Sequence, residues 1–176
     1  GGSSVSGAAF ASSEIYDPTT AVWSPAGDMK YARDRHTATL LDDGRVFVVG
    51  GTNPAGENSL FAELYDPDTG SWSLAEKMPT ALTRPAAALL GDGRVLVVAG
   101  STFVVYDPAN DAWSSTDYVG SPRRSQVALL PDGRVLLAGG DREGARAWAK
   151  VFDPAGGTWS SMDAMADPRV GHTLTA

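Results

Sequence analysis

The sequence predicts an all-β protein made of repeated four-stranded antiparallel sheets, and three observations carry that prediction. An aromatic-Asp-Pro element followed by a tryptophan occurs four times. An Asp-Gly-Arg-Val turn occurs three times between apolar runs. No segment shows the apolar spacing of an amphipathic helix.

The first element stands at Ile15-Tyr16-Asp17-Pro18, Leu64-Tyr65-Asp66-Pro67, Val105-Tyr106-Asp107-Pro108 and Val151-Phe152-Asp153-Pro154. Its tryptophans are Trp23, Trp72, Trp113 and Trp159, at successive spacings of 49, 41 and 46 residues. The turn stands at Asp43–Val46, Asp92–Val95 and Asp132–Val135, each leading to a small pair: Gly50-Gly51, Ala99-Gly100 and Gly139-Gly140. Two motifs in constant order at a period of this length define a repeat architecture.

Within a repeat, strand a is expected at His36–Leu41 and Ala86–Leu90. Strand b is expected at Arg45–Val49, Arg94–Ala99 and Arg134–Ala138. The Asp-Gly between a and b suits a two-residue type I′ hairpin, in which both central residues need positive φ. Both strands are almost continuously apolar, as for a sheet buried on two faces. Strand c carries the aromatic residue, and Asp-Pro ends it by starting a turn. Strand d opens on tryptophan, is the most polar, and is expected to lie outermost with Trp23, Trp72, Trp113 and Trp159 as the main contacts to neighbouring repeats.

The 176 residues are 43 % hydrophobic and 20 % charged, a globular composition. No run approaches the roughly 18 apolar residues of a membrane helix, and no targeting segment is visible. The absence of cysteine excludes disulfides, thiolate metal sites and cysteine nucleophiles. A net charge of −7 argues against nucleic-acid binding.

The order diglycine, Tyr-Asp-Pro, Trp resembles the kelch repeat over essentially the whole chain, and the Asp-Gly-Arg-Val turn is most similar to the bacterial, galactose-oxidase-like branch of that family. The resemblance implies a β-propeller, with four-stranded blades arranged radially and strand a innermost. The repeats fall at approximately 1–28 (partial), 29–77, 78–118, 119–164 and 165–176 (partial) within one domain. Gly1-Gly2 matches the end of a strand b, and Arg169-Val170-Gly171-His172-Thr173 matches Arg33-Asp34-Arg35-His36-Thr37. Three complete repeats and one split between the termini are therefore expected. An open arc of blades would expose apolar faces, so the expected partner is a second copy completing an eight-bladed ring, or the remainder of a larger propeller.

For chemistry, the arginines Arg33, Arg35, Arg84, Arg123, Arg124 and Arg169 gather at the crossing from strand d to strand a. There they are candidates to ring one channel mouth and to bind a carboxylate or phosphate through their bidentate forks. Pairing with Asp28, Asp34 or Asp167 is the structural alternative. Arg45, Arg94 and Arg134 hold a fixed hairpin position and read as structural. His36 and His172 share one repeat column, which accounts for both without a metal. Glu57, Glu76 and Glu143 depart from the repeat but have no identifiable partner carboxylate. No phosphate loop, zinc motif or Ser-His-Asp order is present. Galactose-oxidase chemistry, which the resemblance would imply, uses copper and a tyrosine crosslinked to cysteine, and this chain has no cysteine. The expected function is a non-catalytic scaffold that binds a protein, peptide or glycan through its variable loops, with no cofactor. The alternative is a domain of a larger kelch-type enzyme whose catalytic groups lie elsewhere.

Overall fold

Each Asp-Gly-Arg-Val segment closes a hairpin in the computed structural model, which describes residues 1–117, 120, 124–140, 144 and 147–175. The strands in chain order are β1 (Ser12–Asp17), β2 (Val22–Asp28), β3 (Thr37–Leu40), β4 (Val46–Val49), β5 (Ala62–Asp66) and β6 (Ser71–Leu74). They continue as β7 (Ala86–Leu89), β8 (Val95–Ala99), β9 (Thr102–Asp107), β10 (Ala112–Ser115), β11 (Gln126–Leu129), β12 (Val135–Ala138), β13 (Ala149–Asp153) and β14 (Thr158–Ser161). β3–β6, β7–β10 and β11–β14 are four-stranded antiparallel sheets in sequential order, and β1–β2 is a two-stranded one. Residues Arg169–Thr175 repeat the sequence pattern of Arg33–Thr39, yet 170–175 form no strand.

The a–b turn differs from the two-residue form expected of Asp-Gly. Gly44, Gly93 and Gly133 donate to the carbonyls of Leu41, Leu90 and Leu130, and the N–H of each leucine bonds the carbonyl of Arg45, Arg94 or Arg134. Only the glycine of each Asp-Gly has positive φ, at 86°, 83° and 84°. This is the longer loop in which a β-turn is followed by a left-handed glycine. The aspartate keeps ordinary backbone geometry because it has another task. Its carboxylate accepts the backbone N–H of the arginine two residues on, and that arginine's Nε as well.

Strand b is buried on both faces, as its unbroken apolar run predicts: Phe47, Val49, Val95, Val97 and Val135 have no exposed surface. Strand c is similarly deep in the four-stranded sheets, at β5, β9 and β13, whereas strand a alternates, with Leu40 exposed on β3. Two strands must flank b and c to cover them, so the sheet edges carry the solvent-facing positions.

The chain forms two compact units, Gly1–Thr83 and Arg84–Ala176. In the first, β2 lies against β6, and the Trp72 indole N–H donates to Ser13 Oγ (3.1 Å) and the Ala26 carbonyl (3.2 Å). In the second, β7 lies against β11 over a core that includes Leu90, Leu96, Phe103, Leu137 and Phe152. Arg94 reaches across this unit to the Pro154 carbonyl at 3.2 Å.

Candidate functional site

The candidate arginines lie in the segments entering strand a, and they separate by repeat column. Arg33 was expected at a channel mouth but is withdrawn from solvent altogether. Its guanidinium and the Glu63 carboxylate are both fully buried, 2.6 Å apart. Nη1 also donates to the carbonyls of Gly50 (2.9 Å) and Phe61 (2.7 Å), and Nε to that of Tyr31 (3.4 Å). Glu63 in turn accepts the backbone N–H groups of Lys30 (2.5 Å) and Tyr31 (3.2 Å). A charge removed from water must be matched at nearly every donor and acceptor, and here it is. Arg33 is thus a clamp joining the entry segment to the ends of strands b and c, and it cannot meet a ligand.

Arg35, Arg84 and Arg124 share the next column and remain exposed. All three have left-handed backbones, with φ of 52°, 50° and 56°, and the same column in the last repeat is Gly171, with φ of 64°. A left-handed side-chain-bearing residue costs about 1–2 kcal/mol where glycine would be relaxed. Arg84 and Arg124 lead into β7 and β11, which pack against each other. Arg35 has Asp34 as an ionic neighbour at 3.5 Å, the pairing foreseen as the structural alternative. Arg169 is exposed, and its carbonyl accepts the Gly140 N–H. Arg123 lies outside the described residues, as does Glu143.

The turn arginines occupy the hairpins that their spacing suggested. Arg45, Arg94 and Arg134 reach Asp43, Asp92 and Asp132 at 2.7, 2.6 and 2.6 Å. Each aspartate is held below its usual carboxylate range, chiefly by the arginine hydrogen bond. The Asp-Pro aspartates cap their own turns. Asp17, Asp66, Asp107 and Asp153 accept the N–H two residues on at 2.8–2.9 Å.

His36 and His172 pack onto glycines of the diglycine column. A Cβ built on Gly1 would lie 2.5 Å from His36 Cε1, and one on Gly139 would lie 2.4 Å from His172 Cε1. Burial holds the His36 imidazole below its ordinary range, and the Arg33 guanidinium adds to the effect. Among the described residues, no three His, Asp or Glu side chains converge as a metal site requires.

Each of the four motif tryptophans packs on the strand c aromatic of its own sheet. Ring centroids are 5.0–5.2 Å apart in the pairs Tyr16–Trp23, Tyr65–Trp72, Tyr106–Trp113 and Phe152–Trp159. Trp72 and Trp159 also reach a neighbouring sheet. Trp159 donates to Thr116 Oγ1 (3.1 Å) and meets the Phe103 ring edge-on at 5.2 Å. Trp23 stands apart, 63 % exposed.

Two features of the site escaped the sequence reading. The Arg33–Glu63 clamp was signalled by Arg33 and Arg169 sharing one column while Glu14 and Glu63 share another. The left-handed arginine column was signalled by Gly171.

The fold and these columns define a class of protein, an all-β chain of repeated antiparallel four-stranded sheets. The kelch motif family matches residues 35–79, the stretch from the left-handed Arg35 through β3–β6. The chain thus carries a kelch repeat, and the other sheets keep its strand order and motif columns, as in a partial kelch β-propeller. No curated protein matches the chain.

Proposed function

We propose that this protein is a non-catalytic interaction module that recognises an acidic segment of a partner protein through its strand-a entry turns. The supporting observation is Arg84 and Arg124 in the second unit, exposed arginines held in a conformation that favours glycine on segments leading into two packed strands, a conformation that Arg35 repeats in the first unit. Strain retained at equivalent surface positions is the mark of a residue kept for what it contacts. Arginine suits carboxylates because its planar fork donates two parallel hydrogen bonds. The rigid sheets beneath supply the frame, as loops on fixed scaffolds do in recognition proteins generally.

The test uses a labelled Asp/Glu-rich peptide and fluorescence anisotropy at low and moderate salt. Binding that weakens with salt is expected for the wild-type chain. Arg84→Gly with Arg124→Gly is expected to lower affinity at least tenfold while leaving the protein as stable or up to about 1 kcal/mol more so. Unchanged affinity in the double variant removes the arginine turns from the function.

Self-association is a second reading, favoured by the β1–β2 sheet. Trp23 and Tyr16 are 63 % and 45 % exposed there, whereas their counterparts in the four-stranded sheets are buried or half-buried. Two copies joined through that face would fit a ring of eight blades. Light scattering is expected to give twice the chain mass at micromolar concentration. A single-chain mass for the wild type eliminates this reading.

A further inference from the structure

The buried clamp of Arg33 and Glu63 holds two aromatic residues as well as each other. Arg33 Nε donates to the Tyr31 carbonyl and Nη1 to the Phe61 carbonyl, while Glu63 accepts the Tyr31 N–H. The two rings so anchored lie face to face, with centroids 3.9 Å apart and planes 6° from parallel. The Ala75 and Met78 N–H groups bond the Ala62 and Leu60 carbonyls, both at 3.0 Å, which brings Lys77 beside Phe61. Its ammonium stands over the Phe61 ring, 5.7 Å from the centroid. Tyr31 is 38 % exposed. The fold does not require this group. The following repeat builds the same four-stranded sheet with Leu82 and Val104 for the clamp and with Thr80 and Thr102 for the rings. A buried ion pair adds little net stability over apolar residues of similar size. Its presence in the repeat that carries the ring stack is accounted for by what it positions.

The charges around the stack say what would cover it. The chain has three lysines, and two of them are here: Lys77 over Phe61, and Lys30 next to Tyr31 in sequence. Both are exposed, and neither ammonium has a carboxylate partner among the described residues. In a chain with 21 acidic and 14 basic residues, unneutralised lysines are out of the ordinary. Contact with the ring fixes the Lys77 charge beside the stack and leaves ammonium N–H donors for an anion. Arg35 adds an exposed cation four residues after Tyr31, on the same entry segment.

We propose that the Tyr31–Phe61 stack is the anchor site for an aromatic side chain of the bound acidic segment, with a carboxylate next to that side chain received by Lys77. The inference rests on the acidic-ligand reading and specifies its motif: Phe, Tyr or Trp flanked by Asp or Glu. An aromatic ring extends a stack that is already formed, and it covers the exposed part of Tyr31 with a flat apolar surface. Charge complementarity sets the flanking residues, since a basic neighbour would meet Lys30 and Lys77. The clamp fixes both ring-bearing backbones before the ligand arrives, so binding does not have to order them. A central aromatic anchor with charged surroundings is also the usual distribution of binding energy in a protein interface.

The experiment titrates the intact chain into three labelled Glu-rich peptides of equal charge that differ only in a central Trp, Leu or Gly, read by anisotropy. The Trp peptide is expected to bind at least tenfold more tightly than the Gly peptide and at least threefold more tightly than the Leu peptide. Tyr31→Thr, which installs the residue of the following repeat, should remove the preference for Trp and leave the Gly peptide unchanged. Lys77→Gln, at an exposed position, should weaken the Trp peptide at least threefold. A Trp peptide bound no better than the Gly or the Leu peptide overturns the aromatic anchor while the acidic-ligand reading stands. A preference for Trp that survives Tyr31→Thr, or an affinity unmoved by Lys77→Gln, overturns the assignment to this stack. Binding of none of the three removes the acidic-ligand reading, and this inference with it, so the two failures are told apart by the Gly peptide alone.

Discussion

Arg33→Ala is expected to lower the stability of the protein by about 3–5 kcal/mol, the usual cost of removing one partner from a buried ion pair. The loss has two parts. Glu63 keeps its amide donors from Lys30 and Tyr31 but loses the cation that balances it. The carbonyls of Gly50 and Phe61 lose their guanidinium donor in the same stroke. Glu63→Ala should cost a similar amount, since it strands a guanidinium where no water reaches. Arg33→Met combined with Glu63→Leu should cost less than either single change, because no charge remains to be solvated. The chain contains a natural version of that replacement, with Leu82 and Val104 in these two columns one repeat later. Urea denaturation of the four proteins checks the set. A cost below about 1 kcal/mol for Arg33→Ala would mean that water reaches the pair, and the clamp would then not be structural.

The fold was legible in the sequence because it is periodic. Four tryptophans and four aromatic-Asp-Pro elements in register place strands c and d, and three Asp-Gly-Arg-Val turns place a and b to within a residue or two. What escaped was whatever depends on tertiary neighbours. Asp43, Asp92 and Asp132 look like the first residue of a two-residue turn until their carboxylates are seen gripping the arginines two positions on. Arg33 and Arg35 are two residues apart and alike in type, yet one is entirely buried and the other exposed. Composition cannot separate them. Comparing columns can: Arg33 varies together with a strand c glutamate, and Arg35 alternates with a glycine. The same comparison shows what the two histidines have in common, a glycine surface to pack on.

The diglycine is the remaining column whose meaning changes with structure, and Gly51→Ala is expected to be the most damaging glycine substitution in the first unit. Gly51 has φ of 98°, and a Cβ there would sit 2.4 Å from the backbone oxygen of Asp34 and 3.2 Å from His36 Cβ. Backbone cannot swing aside as a side chain can. The residue is fixed further, since its N–H donates to the Leu82 carbonyl and its carbonyl accepts from Ser59. Strain and overpacking together should cost about 2–4 kcal/mol. Gly100→Ala provides the contrast. Gly100 also has positive φ, 57°, but nothing lies within 4 Å of its would-be Cβ. It stands in a two-residue turn between β8 and β9, where Ala99 pairs directly with Thr102. Only the conformational cost applies there, about 1 kcal/mol. The third repeat can therefore carry Ala99-Gly100 in place of two glycines, since no b–c loop folds back over the next strand entry. Thermal unfolding of the two variants side by side is the check. Equal losses would mean that the close approach of Gly51 to the Asp34 backbone contributes nothing.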